Sequence, residues 1–139
     1  MYAAMTGNIF RPQMLVIFNH SLTAAQREDA KSAFGVDDFI APPAHLLAIW
    51  GQLPPDAERL APLLAPLFDW LREAGSQGDY VLVQGDFGAT HLTVQKALAL
   101  GMRPVYSTTR REAVETRNGD KVQLTHQFRH VRFRLYEAL

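Results

Sequence analysis

No cysteine occurs among the 139 residues. That excludes a disulfide framework, a thiolate zinc site and a cysteine nucleophile, and it suits a reducing, cytoplasmic setting. No apolar run approaches the roughly 20 residues that cross a bilayer, so neither a transmembrane helix nor a membrane partner is expected. The opening "MYAAMTGNIFRPQ" has neither the basic start nor the continuous apolar stretch of a secretion signal, and residues 1–13 read as a flexible extension. Net charge is also absent, because fourteen Lys and Arg balance fourteen Asp and Glu. The balance is uneven along the chain. Residues 1–95 hold five basic and ten acidic side chains, whereas residues 96–139 hold nine basic and four acidic ones. A basic last third on an acidic body suits a phosphate-bearing ligand, not duplex DNA, which asks for a broad basic surface.

What is present is the material of one compact domain over residues 14–139: 47% of the residues are hydrophobic and 20% charged. "MLVIF" (14–18) is a short apolar run with the length of a strand buried on both faces. Thr23 followed by Gln26 forms a capping box, which predicts a helix over 24–34 stopped by Gly35. "DDFIAP" predicts a short strand ended by Pro42 and Pro43, and "AHLLAIWGQL" a short helix. From Pro54-Pro55 a longer helical pattern places Leu60, Leu63, Leu64, Leu67, Phe68 and Leu71 on one face, bent or divided by Pro62 and Pro66. "DYVLVQ" is the strongest strand, "THLTVQKALALG" the helix behind it and "RPVYSTT" a further strand. Beyond Glu112 the segments around "RNGDK" predict a hairpin with a three-residue loop, Asn118-Gly119-Asp120, setting Val114 opposite Leu124 and Thr116 opposite Val122. Apolar parity changes along the last strand, so a bulge near Arg129-His130 is expected. The fold class is therefore α/β: a mostly parallel sheet flanked by helices, with a C-terminal antiparallel β-hairpin.

Ligands of open α/β sheets bind beyond the carboxyl ends of the strands, where strand order reverses. That rule selects three stretches. In "NHS", Asn19, His20 and Ser21 offer an amide, an imidazole and a hydroxyl, and His20 is the acid/base candidate because imidazole titrates near neutrality. In "QGDFGAT", Gln84 leads into a turn that lacks both the partner motifs of a kinase and the Gly-Lys-Ser/Thr ending of a Walker A loop. The remaining reading is a ligand cradle: Gly85 and Gly88 for close backbone approach, helix-start amides and Thr90 for an anion, Asp86 for a ribose hydroxyl or adenine amino group, and Phe87 for stacking on a base. In "STTRR", Thr108 and Thr109 precede Arg110 and Arg111, whose guanidinium groups match phosphate oxygens. His126 and His130 would lie about 13 Å apart along an unbroken strand, too far to share a metal.

With "IFNH", "GDYVLVQGDFGAT", "TTRRE" and "LTHQFRHVRFR" in view, the sequence resembles, from about Met14 to Arg134, a small stand-alone family of CRISPR-associated proteins of type III systems regarded as ring nucleases. The resemblance implies a Rossmann-like fold related to CARF sensor domains, a symmetric homodimer and a cyclic oligoadenylate ligand, cyclic tetra-adenylate first. It implies an activity that needs neither metal nor cofactor, in which a ribose 2′-hydroxyl attacks the adjacent phosphodiester. In that scheme His20 assists proton transfer, Asn19 orients the sugar, and Arg110 or Arg111 stabilises charge on the phosphoryl oxygens. Two other readings stay open: sequestration of the ring without cleavage, and an interaction module that uses the hairpin and no nucleotide.

Overall fold

The computed structural model describes residues 10–139. Five strands form one sheet: β1 (Met14–Ile17), β2 (Phe39–Ile40), β3 (Tyr80–Val83), β4 (Arg103–Asn118) and β5 (Lys121–Leu135). Four helices accompany them: α1 (Ala24–Phe34), α2 (Ala44–Gly51), α3 (Ala61–Ala74) and α4 (Phe87–Ala99). Strand order is β2-β1-β3-β4-β5. The first four strands are parallel, and β4 and β5 close the sheet as an antiparallel hairpin. Among the described residues no helix is long and apolar enough to cross a membrane.

Two apolar cores explain why β1 and β3 read as unbroken hydrophobic runs. Leu15, Ile17, Val81 and Val83 pack under α2, α3 and α4, while Met14, Val16, Tyr80 and Leu82 pack with Ala30 of α1 and Phe133 of β5. Both faces of the central strands are therefore buried, as parallel sheets require. The helix over 24–34 forms with its capping box: the Thr23 hydroxyl accepts from the Gln26 amide, and the Gln26 carboxamide accepts from the Thr23 amide.

Elsewhere the structure departs from the sequence reading. Gln13, assigned to the extension, is pinned to the fold. The buried Asp79 carboxylate accepts from its main-chain amide at 3.1 Å, its carboxamide at 3.0 Å and the Ser76 amide at 2.8 Å. Residues 1–9 of that extension lie outside the described residues. The third helix begins at Ala61, not at Pro54, and runs as one 14-residue element. Pro62 falls in its first turn, where amides have no helical acceptor anyway, and only Pro66 removes an interior bond. "STTRR" is not a loop, because β4 continues through it for 16 residues paired with β5.

The hairpin turn differs from the expected one as well. Asn118 pairs with Lys121, so the loop is Gly119-Asp120, and Val114 faces Thr125 while Thr116 faces Gln123. Gly119 has φ 68°, which a side chain would resist, and Asp120 does not share the positive φ. That combination fits a two-residue type II′ turn, whose twist matches the strands. The register then shifts once. Thr108 pairs with Arg132 but Thr109 with His130, which leaves Val131 as the extra residue, beside the position that the parity change picked out.

Replacing Thr23 by Ala removes half of the capping box and should cost about 1 kcal/mol of stability, read as a lower urea midpoint with unchanged slope.

Candidate functional site

Strand order reverses between β1 and β3, so the loops that leave them diverge and open a crevice at the carboxyl edge of the sheet. Asn19, His20 and Ser21 leave β1 there, all three exposed. They line a cleft of about 690 Å³ together with Phe18, Arg27, Phe39 and one side of α2. His20 sits edge-on to Phe18 with ring centroids 5.1 Å apart, and the Arg27 guanidinium lies 4.9 Å above the Phe39 ring. Gly51 lies against Asn19, since a Cβ there would be 3.0 Å from the Asn19 carboxamide. The cleft thus presents an amide, an imidazole, a hydroxyl and a fixed cation.

The turn after β3 is held largely by its own residues. Asp86 is the N-cap of α4, and its carboxylate accepts from the Ala89 amide at 2.9 Å, while its carbonyl accepts from the Thr90 amide at 2.8 Å. The helix-start charge that the sequence reading offered to a ligand anion is met in the protein by this carboxylate. Gly85 is small for an internal reason. A Cβ there would lie 2.6 Å from the indole nitrogen of Trp50, whose N–H donates to the Gln84 carbonyl at 3.0 Å. Gly88 similarly faces Leu60. Phe87 does look outward, 94% exposed, whereas the Thr90 hydroxyl is shielded from solvent and has no hydrogen-bond partner among the described residues. With Gln84, Gly85, Tyr106 and Tyr136 they line a second cleft of about 330 Å³. Burial, and secondarily Tyr106, holds the Tyr136 phenol above its ordinary pKa. It stays protonated and donates to the Val83 carbonyl at 2.7 Å.

Strand alternation divides the third stretch. Tyr106, Thr108 and Arg110 point to the face that carries Phe87 and Tyr136, and Thr109 and Arg111 point to the opposite one. On β5 the register shift brings residues of both parities to the first face: Arg134 pairs with Tyr106, Arg132 with Thr108 and Arg129 with Arg110. Four arginines therefore share one face of the hairpin beside the smaller cleft. Arg134 donates to the Tyr106 hydroxyl at 3.0 Å, and Arg129 meets Glu112 at 2.7 Å in an exposed pair of little energetic weight. Neither Arg110 nor Arg111 lines the cleft of Asn19 and His20.

One cluster escaped sequence reasoning. The Ser107 hydroxyl lies 2.6 Å from His130 Nδ1, and His130 Nε2 lies 2.7 Å from Asp29. An ionised carboxylate only accepts, so Nε2 carries a proton, and in the neutral tautomer that this leaves Nδ1 can accept from the serine. The order hydroxyl, imidazole, carboxylate is that of an activated nucleophile. However, Ser107 is 8% exposed, the His130 side chain 5%, and none of the three residues lines either cleft. The cluster ties α1 to the hairpin at the register shift. Asp29 and His130 lie 101 positions apart, and no motif connects them. Among the described residues no group of three or more His, Asp or Glu could hold a metal ion.

A model of the family described as "Uncharacterized protein MJ1673 family" matches residues 12–134. The chain belongs to the MJ1673 family. It is 39% identical over 125 residues to "Uncharacterized protein MJ1673" of Methanocaldococcus jannaschii, a match that covers 90% of this chain and 97% of that protein. No solved structure matches the chain. The span matched by the MJ1673 family model takes in the larger cleft, the smaller one except Tyr136, the Asp29–His130–Ser107 cluster and the hairpin up to Arg134.

Gly85→Ala should lower stability by about 1–3 kcal/mol, because the added methyl must displace the Trp50 indole. Denaturant unfolding checks this, and an unchanged midpoint would mean that the indole does not pack there.

Proposed function

We propose that the protein binds a cyclic oligoadenylate, cyclic tetra-adenylate being the expected ring, at the carboxyl edge of the sheet and opens it without a metal, which would switch off type III CRISPR signalling in the cytoplasm. The observation that carries this reading is the pairing of four arginines on one hairpin face with the exposed Phe87 and the unpartnered Thr90 hydroxyl beside them. A ligand that repeats phosphates and bases meets both needs: guanidinium groups neutralise phosphate, and an exposed aromatic ring stacks on a base. Gln84, Gly85, Phe87, Thr90 and Thr108 would seat the ring, with Arg110 on its phosphates. Asp86 keeps one carboxylate oxygen for a ribose hydroxyl or an adenine amino group. In the cleavage step the 2′-oxygen forms a bond to phosphorus, the bond from phosphorus to the 5′-oxygen breaks, and the 2′-proton leaves as the 5′-oxygen gains one. Asn19 would position the ribose and His20 would move the proton. A ring with two-fold symmetry suits a symmetric dimer that presents each contact twice.

One observation favours sequestration over cleavage. His20 and Arg110 do not line a common cleft within one chain. Binding alone needs no such convergence.

Labelled tri-, tetra- and hexa-adenylate rings incubated with the protein in EDTA, then separated by chromatography, decide between the two. Cleavage predicts linear products ending in a 2′,3′-cyclic phosphate, slowed by roughly 100-fold or more in His20→Ala and in Arg110→Ala. Intact ring bound to protein would overturn the nuclease reading in favour of sequestration. Normal cutting by both variants would overturn the assignment of His20 and Arg110.

A further inference from the structure

The proposed function gives no part to the one fixed cation of the larger cleft. Arg27 stands on α1, four residues past the Thr23 cap, and lines that cleft with Asn19, His20 and Ser21. Among the described residues no Asp or Glu pairs with its guanidinium, and no acidic side chain lines the cleft. Its contact is the Phe39 ring, 4.9 Å away. A ring face holds a guanidinium in place without accepting its N–H groups in pairs, as a carboxylate does, so the fork stays available for an oxyanion. We infer that this cleft is a nucleotide subsite in which Arg27 holds the phosphate, and that Arg27, not Arg110, faces the phosphodiester beside His20.

The shape and chemistry of the cleft select that ligand class. Phe18, Leu22, Leu47 and Ala48 give it apolar walls, and Asn19, Ser21 and Gln52 add neutral polar groups. Apolar walls, a few hydrogen-bonding groups and a single cation suit a planar base joined to one anion. A pyrophosphate on the start of α1 is disfavoured, because the Thr23 hydroxyl already accepts from the Gln26 amide. The inference rests on the nucleotide reading of the carboxyl edge, and it meets the separation of His20 from Arg110. Trp50 and Gly51, neighbours on α2, lie against Gly85 and Asn19, so the two clefts meet at the end of that helix. A ring that repeats its phosphates can rest one on the arginine face and offer another to Arg27.

Titration of the ¹⁵N-labelled full chain with adenosine 3′-monophosphate, followed by NMR, reads the subsite without any cleavage. Saturable shifts are expected at the amides of Asn19, Ser21, Phe39 and Gly51, with a dissociation constant below about 10 mM. Inorganic phosphate should bind at least about tenfold more weakly, since the base supplies part of the contact. Arg27→Ala should weaken nucleotide binding by about tenfold or more, and Arg27→Lys by about threefold, keeping the charge and losing the fork. Ala48→Trp fills the cleft from an exposed helix position and should abolish the shifts. With cyclic tetra-adenylate, Arg27→Ala should lower kcat by about 100-fold and change KM by less than about threefold. No saturable shift at these amides, phosphate binding as tight as the nucleotide, or wild-type affinity in Arg27→Ala overturns the inference whether or not the ring is cut. An unchanged kcat in Arg27→Ala overturns it too. A ring left intact by a protein that binds the nucleotide through Arg27 supports the subsite and sinks cleavage alone.

Discussion

A chain of hydrogen bonds crosses the carboxyl edge of the sheet, and the geometry of both clefts depends on it. The Trp50 indole donates to the Gln84 carbonyl, and the Gln84 carboxamide accepts from the Ser107 amide. The Ser107 hydroxyl meets His130, and His130 meets Asp29. Helix α2, strands β3, β4 and β5 and helix α1 are thereby linked in sequence. Each link is a directional bond between groups mostly out of water, where an unpaired partner costs more than the bond itself returns. The edge is therefore held to one arrangement, not merely packed.

The place where this chain reaches β5 matters as much as the bonds. His130 is the first paired residue beyond the shift that leaves Val131 unpaired. Without that shift, Phe128 would turn to the face of Arg110, and Arg129 would turn away from it. With it, the basic side chains from both halves of β5 gather on one face, and Phe128, Leu124 and Val122 gather on the other. One extra residue thus sorts the arm into a face that gathers Arg110, Arg129, Arg132 and Arg134 and a face that gathers Val122, Leu124 and Phe128. The anchoring of His130 fixes which face is which.

The elements of the body were legible in the sequence because their causes are local. The Thr23–Gln26 box and Gly35 set both ends of α1, and burial on both faces makes β1 and β3 visibly apolar. The start of α3 was misplaced because Pro54-Pro55 satisfies the same local rule as Pro62, and only packing chooses between them. The "TTRR" stretch read as a loop since pairing with β5 is a non-local event that composition does not record. Its arginines were singled out as candidate phosphate partners by chemical type alone. Alternation then separated Arg110 from Arg111, which no reading that treats them as a pair could foresee. Gly85 shows the converse: a glycine assigned to ligand approach is required by Trp50, which lies 35 positions earlier. Asp29 and Ser107 gave no signal at all, because their meaning depends on a contact with His130 that only the folded chain supplies.

The central claim is that the arginine face and the carboxyl edge together receive a polyanionic ring. Calorimetric titration of the protein with cyclic tetra-adenylate over a series of salt concentrations tests it most directly. The account predicts binding at low salt whose logarithm of affinity falls linearly with the logarithm of salt concentration, as phosphates displace counterions. Absence of binding at low salt, or an affinity indifferent to salt, would contradict it.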